Sequence, residues 1–374
     1  MKAVFLDHNS TTPISALVIE GLQELLRSPL NASSIHQHGR KARKIIEATR
    51  EDLANSLGFN LRNDNYNILF TASGTEANNM VINSFADANI IFSAVEHLSI
   101  ITPAENSKQR FKINVDSHGA ISQEHLIQIL SQVNGPKIVS VMLANNETGI
   151  IHNIKAIAKI VHEHNGILHC DAVQAYSKIA IDIKDLDCDL LTVSAHKCGG
   201  LQGCGVLVFK DNINLKPLIV GGGQERSLRA GTENVLAISS LGIVARNNNN
   251  KIKKYQQISE LKDYLEQEIK KIDNNVNIIG QNVDRLPNTL LLSMPNVASN
   301  LQLIQFDLEG ISVSAGSACS SGKVTSSYVL EAMGIEKKIA ECVVRVSLGE
   351  ETTLDEINYF IKSWQKIYNS KIKG

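Results

Sequence analysis

The chain of 374 residues contains no C-x-x-C pair; its six cysteines, Cys170, Cys188, Cys198, Cys204, Cys319 and Cys342, are scattered. No zinc or iron–sulfur ligand framework is legible, and no metal is expected. Scattered thiols in a chain this long fit a reducing cytosol better than a disulfide scaffold, so a cytoplasmic location is expected. No apolar run approaches the ~20 residues of a membrane span. The opening MKAVFLDHNSTTP brings acid and polar residues too early for a signal peptide. An excess of charge is missing too: 37 basic against 38 acidic residues give a net charge of -1. That leaves no electrostatic case for nucleic acid or a membrane surface as the main partner. G-x-x-x-x-G-K-[ST] is absent, so a nucleotide-hydrolysing P-loop is unsupported. No internal repeat is visible. The run VHEHNGILHC gathers His162, His164 and His169 in the manner of a ligand cluster. However, His162 and His164 stand two apart on an expected helix and face different ways.

What is present is an ordinary globular mix, 43% hydrophobic and 20% charged. The length suggests about two domains. From about residue 66, short apolar runs alternate with helical segments. Ile68-Leu69-Phe70 precedes a helix from Thr75. Ile90 to Phe92, Ile138 to Leu143, Ile167-Leu168, Leu190 to Val193 and Val206 to Phe209 read as further strands, with a helix from Ile154 to His164. Such alternation predicts an α/β fold with a mostly parallel sheet covered on both faces. Ligands then bind outside the carboxyl ends of the strands. The polar tract ARNNNNKIKKYQQ (Ala245 to Gln257) marks a composition shift. Ile258, Leu261, Leu265, Ile269 and Ile272 then follow helical spacing into a second, smaller domain. Near the end, Thr353 and Glu356 form a capping-box pattern. Leu354, Ile357, Phe360, Ile361, Trp364 and Tyr368 follow as one apolar stripe, read as core rather than a partner surface.

The most informative residue is Lys197, in LLTVSAHKCGG. A lysine at the end of a buried strand, in a glycine-bordered turn, is well placed to meet a carbonyl group. Desolvation lowers its pKa, and the neutral amine can form a Schiff base. The usual partner is pyridoxal 5'-phosphate (PLP), which also needs an acid to keep its pyridine nitrogen protonated. Asp171, in ILHCDAVQ, ends another apolar strand and is the candidate. Taken alone, the two strand ends also fit a surface lysine and a helix-capping aspartate.

Other segments add to the pattern. FTASGTEANN (Phe70 to Asn79) reads as strand, small-residue turn and helix start, where backbone N–H groups bind phosphate. AVEHLS places His97, and LANNETG places Asn146, after further strands. GGGQERSLRAGTEN (Gly221 to Asn234) offers a glycine turn, two arginines and Thr232. With the His196-Lys197 pair and SAGSACSSG (Ser314 to Gly322), the order and spacing resemble the cysteine desulfurases, the NifS/IscS class of PLP-dependent enzymes. The resemblance runs from LDHNSTTP to VRVSLGEETT, nearly the whole chain. It is to the group with the cysteine on a long loop, not the group with a histidine pair just before it.

The resemblance implies a class V, fold type I PLP enzyme with a large domain and a smaller α+β domain. The large domain, built on a seven-stranded sheet, would span residues 15–255. Residues 1–14 and 256–374 would form the small domain carrying the cysteine loop. Lys197 would be the Schiff-base lysine and Asp171 the partner of the pyridine nitrogen. Gln174 would bond the ring's phenolic oxygen, and His97 would stack on the ring and relay protons. Gly74, Thr75, Ser194 and His196 would hold the phosphate. Thr232 would reach a phosphate in the partner subunit of a homodimer. Asn146 and Arg345 would hold the substrate carboxylate, Asn146 also lying among the cofactor contacts; arginine's planar fork suits a carboxylate.

Cys319 sits among small residues. By itself it also fits a small buried cysteine; within this constellation it is the catalytic nucleophile. The implied reaction converts L-cysteine to L-alanine, leaving a persulfide on Cys319 for an acceptor such as an iron–sulfur scaffold or a tRNA-thiolation carrier. A selenocysteine lyase is one alternative. An inactive scaffold protein is another, and it predicts loss of Lys197, Asp171 or Cys319, all present. Two departures stand out. TASGTE replaces the family's usual T-S-G-A-T-E order, and Leu201 and Gln202 stand where a Pro-Lys step is typical.

Overall fold

The computed structural model describes residues 3–315 and 327–372. A short strand β1 (Val4–Phe5) opens it. The central sheet follows from β2 (Tyr66–Thr71), β3 (Asn89–Ser93), β4 (Arg110–Ile113), β5 (Lys137–Met142), β6 (Ile167–Asp171), β7 (Leu190–Ser194) and β8 (Gly205–Lys210). Its order is β2-β8-β7-β6-β5-β3-β4. Only β8 runs against the others, pairing antiparallel with β2 and β7. Every residue of β3, β6 except Ile167, and β7 is buried. That is why these strands read as continuous apolar runs rather than alternating ones.

Side chains alternate between the two faces. Ile91, Val139, Val141, Leu168, Leu191 and Val193 pack into one core with the helices Gln37–Ser56, Ile154–Glu163 and Val235–Arg246. Ile90, Phe92, Ile138 and Leu190 pack into the opposite core with the helices Gly74–Ser84 and Leu98–Glu105. The sequence reading missed β4. It is an edge strand with Arg110 and Lys112 exposed, and only Ile113 is buried. Edge strands are commonly charged in this way, which hides their apolar signal.

The remaining strands are β9 (Thr289–Ser293), β10 (Ile311–Ser312) and β11 (Val343–Ser347). β9 and β11 pair antiparallel, while β10 pairs parallel with β1. Val4 and Leu6 from the start of the chain share a separate core with Leu265, Leu292, Phe306, Phe360 and Trp364. The polar tract from Ala245 is itself helical. Its residues close one helix at Arg246 and open the next, Asn248–Ile272. Asn248 and Lys251 are buried, and their polar groups pair with Ser177 and Glu350. Partnered polar side chains allow a polar sequence to lie in an interior. The 255/256 division therefore falls within one continuous helix.

The final helix, Leu354–Ile372, carries the capping box: Thr353 N donates to Glu356 Oε2 at 2.9 Å, and Glu356 N to Thr353 Oγ1 at 3.3 Å. Its stripe is core at Ile357, Phe360, Trp364 and also Ile367. Leu354, at the first helical position, is 49% exposed, against the expectation for that residue.

Candidate active site

The carboxyl ends of β5, β6 and β7, the segment after β3 and the start of the helix Gly74–Ser84 surround a cavity of about 310 Å³. Ser73 caps that helix, its Oγ accepting from Glu76 N at 3.1 Å. Glu76 Oε2 accepts from Ala72 N in return, and Arg229 Nε holds Oε1 at 2.9 Å. Gly74 and Thr75 thus reach the cavity on a braced helix start, where backbone N–H groups and the helix dipole favour an anion. The approach is close. A Cβ on Gly205, at the start of β8, would lie 2.2 Å from the Ser73 carbonyl carbon, so only glycine fits. Ser194 and His196 line the same end. Burial and Lys197 lower the His196 pKa to about 4.

Asp171 closes β6 and is 5% exposed. Its Oδ1 accepts from Val173 N at 2.9 Å and its Oδ2 from Asn78 Nδ2 at 2.7 Å. Asn78 Nδ2 also donates to Ser99 Oγ at 2.8 Å. His97, cap of the helix Leu98–Glu105, accepts at Nδ1 from Ser99 N at 3.1 Å and lies 2.8 Å from Ser99 Oγ. Burial lowers the His97 pKa, aided by Lys197 and opposed by Asp171.

Lys197 ends the short turn Ala195–Lys197 after β7. Its Nζ donates to the carbonyl oxygens of Asn9 at 2.6 Å and Ser10 at 2.7 Å. Asn9 is a junction that sequence reasoning missed. Its carbonyl also accepts from Gln174 Nε2 at 2.9 Å, and its Oδ1 from Lys178 Nζ at 2.7 Å. Lys178 Nζ holds Gln174 Oε1 at 3.0 Å. Burial, together with Lys197 and Arg345, pushes the Lys178 pKa well down.

Arg345 leaves β11 towards the cavity. Its Nη2 donates to Asp7 Oδ1 at 2.7 Å and its Nη1 to the Asn146 carbonyl at 2.9 Å. Asn146 Oδ1 and Arg345 Nε are buried without partners. Two buried carboxyls flank the site and were also missed. Glu96 accepts from Met142 N at 2.8 Å, and burial raises its pKa far above the usual range. Glu147 accepts from Ser327 Oγ at 2.6 Å, and burial raises its pKa to about 7 despite Ser327 and Arg345. The triplets VEH and NNE were the signals available, an acid beside each assigned residue.

The cavity thus gathers Gly74, Thr75, His97, Asn146, Asp171 and Gln174 with Ser194, His196, Lys197 and Arg345. Thr232 is not among them. It lines a separate cleft with Phe70, Thr71 and Arg229, because Glu225 ties its segment to Arg50 and to Phe70 N. Cys319 lies outside the described residues. The other five cysteines are free and buried; burial raises the Cys198 thiol to about 11. His162 pairs with Asp187 and Asp189 rather than with His164, and no metal-binding cluster occurs among the described residues.

These groups fit PLP. A helix start matches its phosphate, a buried carboxylate its ring nitrogen, an imidazole and an amide its ring, and an amine its aldehyde. The unpartnered Asn146 Oδ1 and Arg345 Nε are polar groups that a bound molecule could satisfy. Comparisons agree. The family model "Aminotransferase class-V" matches residues 4–360. A protein named cysteine desulfurase IscS from Dictyoglomus turgidum is 36% identical, over 98% of this chain and 94% of its own. A cysteine desulfurase from Enterobacter agglomerans is 35% identical, over 98% and 93%. The X-ray structure of a NifS-like protein from Rickettsia africae superposes with a TM-score of 0.94 at 40% identity, covering 98% of this chain and all of that one. The chain belongs to the class V aminotransferase family, in its cysteine desulfurase branch.

Proposed function

We propose that the protein is a PLP-dependent cysteine desulfurase that takes sulfur from L-cysteine, leaves L-alanine and delivers the sulfur through Cys319. The observation that carries this reading is that Lys197 and Asp171, at the ends of neighbouring strands, line one cavity with the start of the helix Gly74–Ser84. When bound, PLP supplies an electron sink for the substrate's α-carbon. Gly74, Thr75, Ser194 and His196 bind its phosphate. Asp171, held as an acceptor by Val173 N and Asn78, keeps the ring nitrogen protonated. Burial pushes the Glu96 pKa well up, which disfavours a second negative charge beside Asp171.

Lys197 anchors the cofactor and moves the α-proton, its amine steered by the Asn9 and Ser10 carbonyls. Arg345, held by Asp7 and the Asn146 carbonyl, receives the substrate carboxylate. The Cys319 thiolate attacks the substrate's sulfur, the carbon–sulfur bond breaks, and the sulfur stays on Cys319 as a persulfide. An iron–sulfur scaffold or a thiolation carrier then accepts it.

A homodimer completes this reading. Thr232 sits away from the cavity of its own chain, and two residues before it Ala230 N donates to the carbonyl of the exposed Ile219 at 3.1 Å, which suits a site completed by the partner. Among the described residues no helix is long and apolar enough to cross a membrane, and the free buried cysteines suit a reducing cytoplasm. Purified PLP-loaded protein given L-cysteine and a reductant should yield alanine and sulfide in equal amounts. Absence of alanine refutes the assignment.

A further inference from the structure

We infer that Asn78 and Ser99 are positioning residues that hold His97 with its proton on Nε2 and tie that state to Asp171. The inference rests on the desulfurase reading for its catalytic consequence. It begins with the Asp171 carboxylate, both of whose oxygens accept hydrogen bonds. With Oδ1 taken by Val173 N, Oδ2 requires a donor, and Asn78 stands 2.7 Å away. That requirement orients the Asn78 amide, because the reverse orientation would set a carbonyl oxygen against the carboxylate. The second Nδ2 hydrogen then goes to Ser99 Oγ at 2.8 Å. Having accepted that bond, Ser99 Oγ has one proton to give, and His97 Nδ1 lies 2.8 Å away. Ser99 N donates to the same nitrogen at 3.1 Å. Two donors converge on Nδ1, so no proton fits there.

Burial keeps the ring neutral, and the single proton therefore sits on Nε2. Charging His97 would require a proton on Nδ1, pointing at the Ser99 N–H. His97 thus offers the cavity a hydrogen-bond donor rather than a base. Base work is left to Lys197, across the same cavity. Asn78, Ser99 and His97 sit on two helices packed against one face of the sheet. The relay therefore forms before any ligand arrives.

The test is ¹⁵N NMR of histidine-labelled protein at neutral pH, both PLP-loaded and cofactor-free. The His97 signals are identified by their loss in His97→Gln. The wild type should show a proton on Nε2 alone and a hydrogen-bonded Nδ1. In Ser99→Ala the Nδ1 resonance should move towards that of an unbonded ring nitrogen. Cysteine turnover should fall about tenfold in kcat with KM changed less than about twofold, the effect of one charge-network hydrogen bond. Ser99→Thr, which keeps the hydroxyl, should restore both readouts. A wild-type proton on Nδ1 overturns the inference. So does an Nδ1 resonance that Ser99→Ala leaves in place, or a Ser99→Ala variant with wild-type kcat. Failure of the wild type to form alanine strikes the desulfurase reading alone, because the cofactor-free protein still reports the tautomer.

Discussion

Replacing Glu147 with glutamine should make the protein more stable at pH 8 than the wild type, and by much less at pH 4.5. Glu147 is buried, and its carboxyl has a pKa raised from 4.5 to about 7. An unfolded chain gives up that proton near 4.5, while the fold retains it until about 7. Between those values the native state binds more protons than the unfolded state, so stability falls as pH rises. Over the 4.5 to about 7 interval, at ~1.4 kcal/mol per pH unit, the loss amounts to ~3 kcal/mol. Glutamine does not titrate, and its carbonyl can still accept from Ser327 Oγ, which lies 2.6 Å from the carboxylate. The assay is urea unfolding of PLP-loaded wild type and Glu147→Gln at matched pH values. The stability difference should widen by ~3 kcal/mol across the interval. A difference that stays flat with pH would show that Glu147 ionises normally in the fold, and the burial argument would be wrong.

Other outcomes follow from the same geometry. Lys197→Ala should lose the borohydride-fixed PLP adduct, read by mass spectrometry; a stable adduct on another lysine contradicts the assignment. Asp7→Ala frees the Arg345 guanidinium from its 2.7 Å contact. KM for cysteine should rise about tenfold, the worth of one hydrogen bond between charged groups, while an unchanged KM would show that Asp7 does not position Arg345. Thr232→Val should weaken PLP retention. Mixing it with Lys197→Ala should recover activity, because one of the two shared sites is then intact; no recovery on proven subunit exchange refutes a composite site.

The strand ends were legible because β6 and β7 are short, buried apolar runs, β6 stopping at Asp171 and β7 at Ser194, three residues before Lys197. Local pattern carries that information. The braces around those residues were not legible, because they come from distant sequence. Asn9 meets Lys197 from 188 residues away, and Arg345 meets Asp7 from 338 away. No periodicity links such positions. Ser99 and Asn78 read as ordinary polar residues of two helix starts. Only the packing of those helices on one sheet face makes them a relay between Asp171 and His97. Thr232 was recognised by its motif, and its placement outside the cavity followed from Glu225 anchoring the segment to β2.

The most direct test of the central claim compares wild type and Cys319→Ala given L-cysteine, following alanine release and the mass of the Cys319 peptide. The account predicts alanine and one extra sulfur on Cys319 in the wild type. It predicts no alanine from Cys319→Ala, although that variant keeps its bound PLP absorption. Full turnover by Cys319→Ala, or a persulfide found only on Cys198 or Cys342, would contradict it.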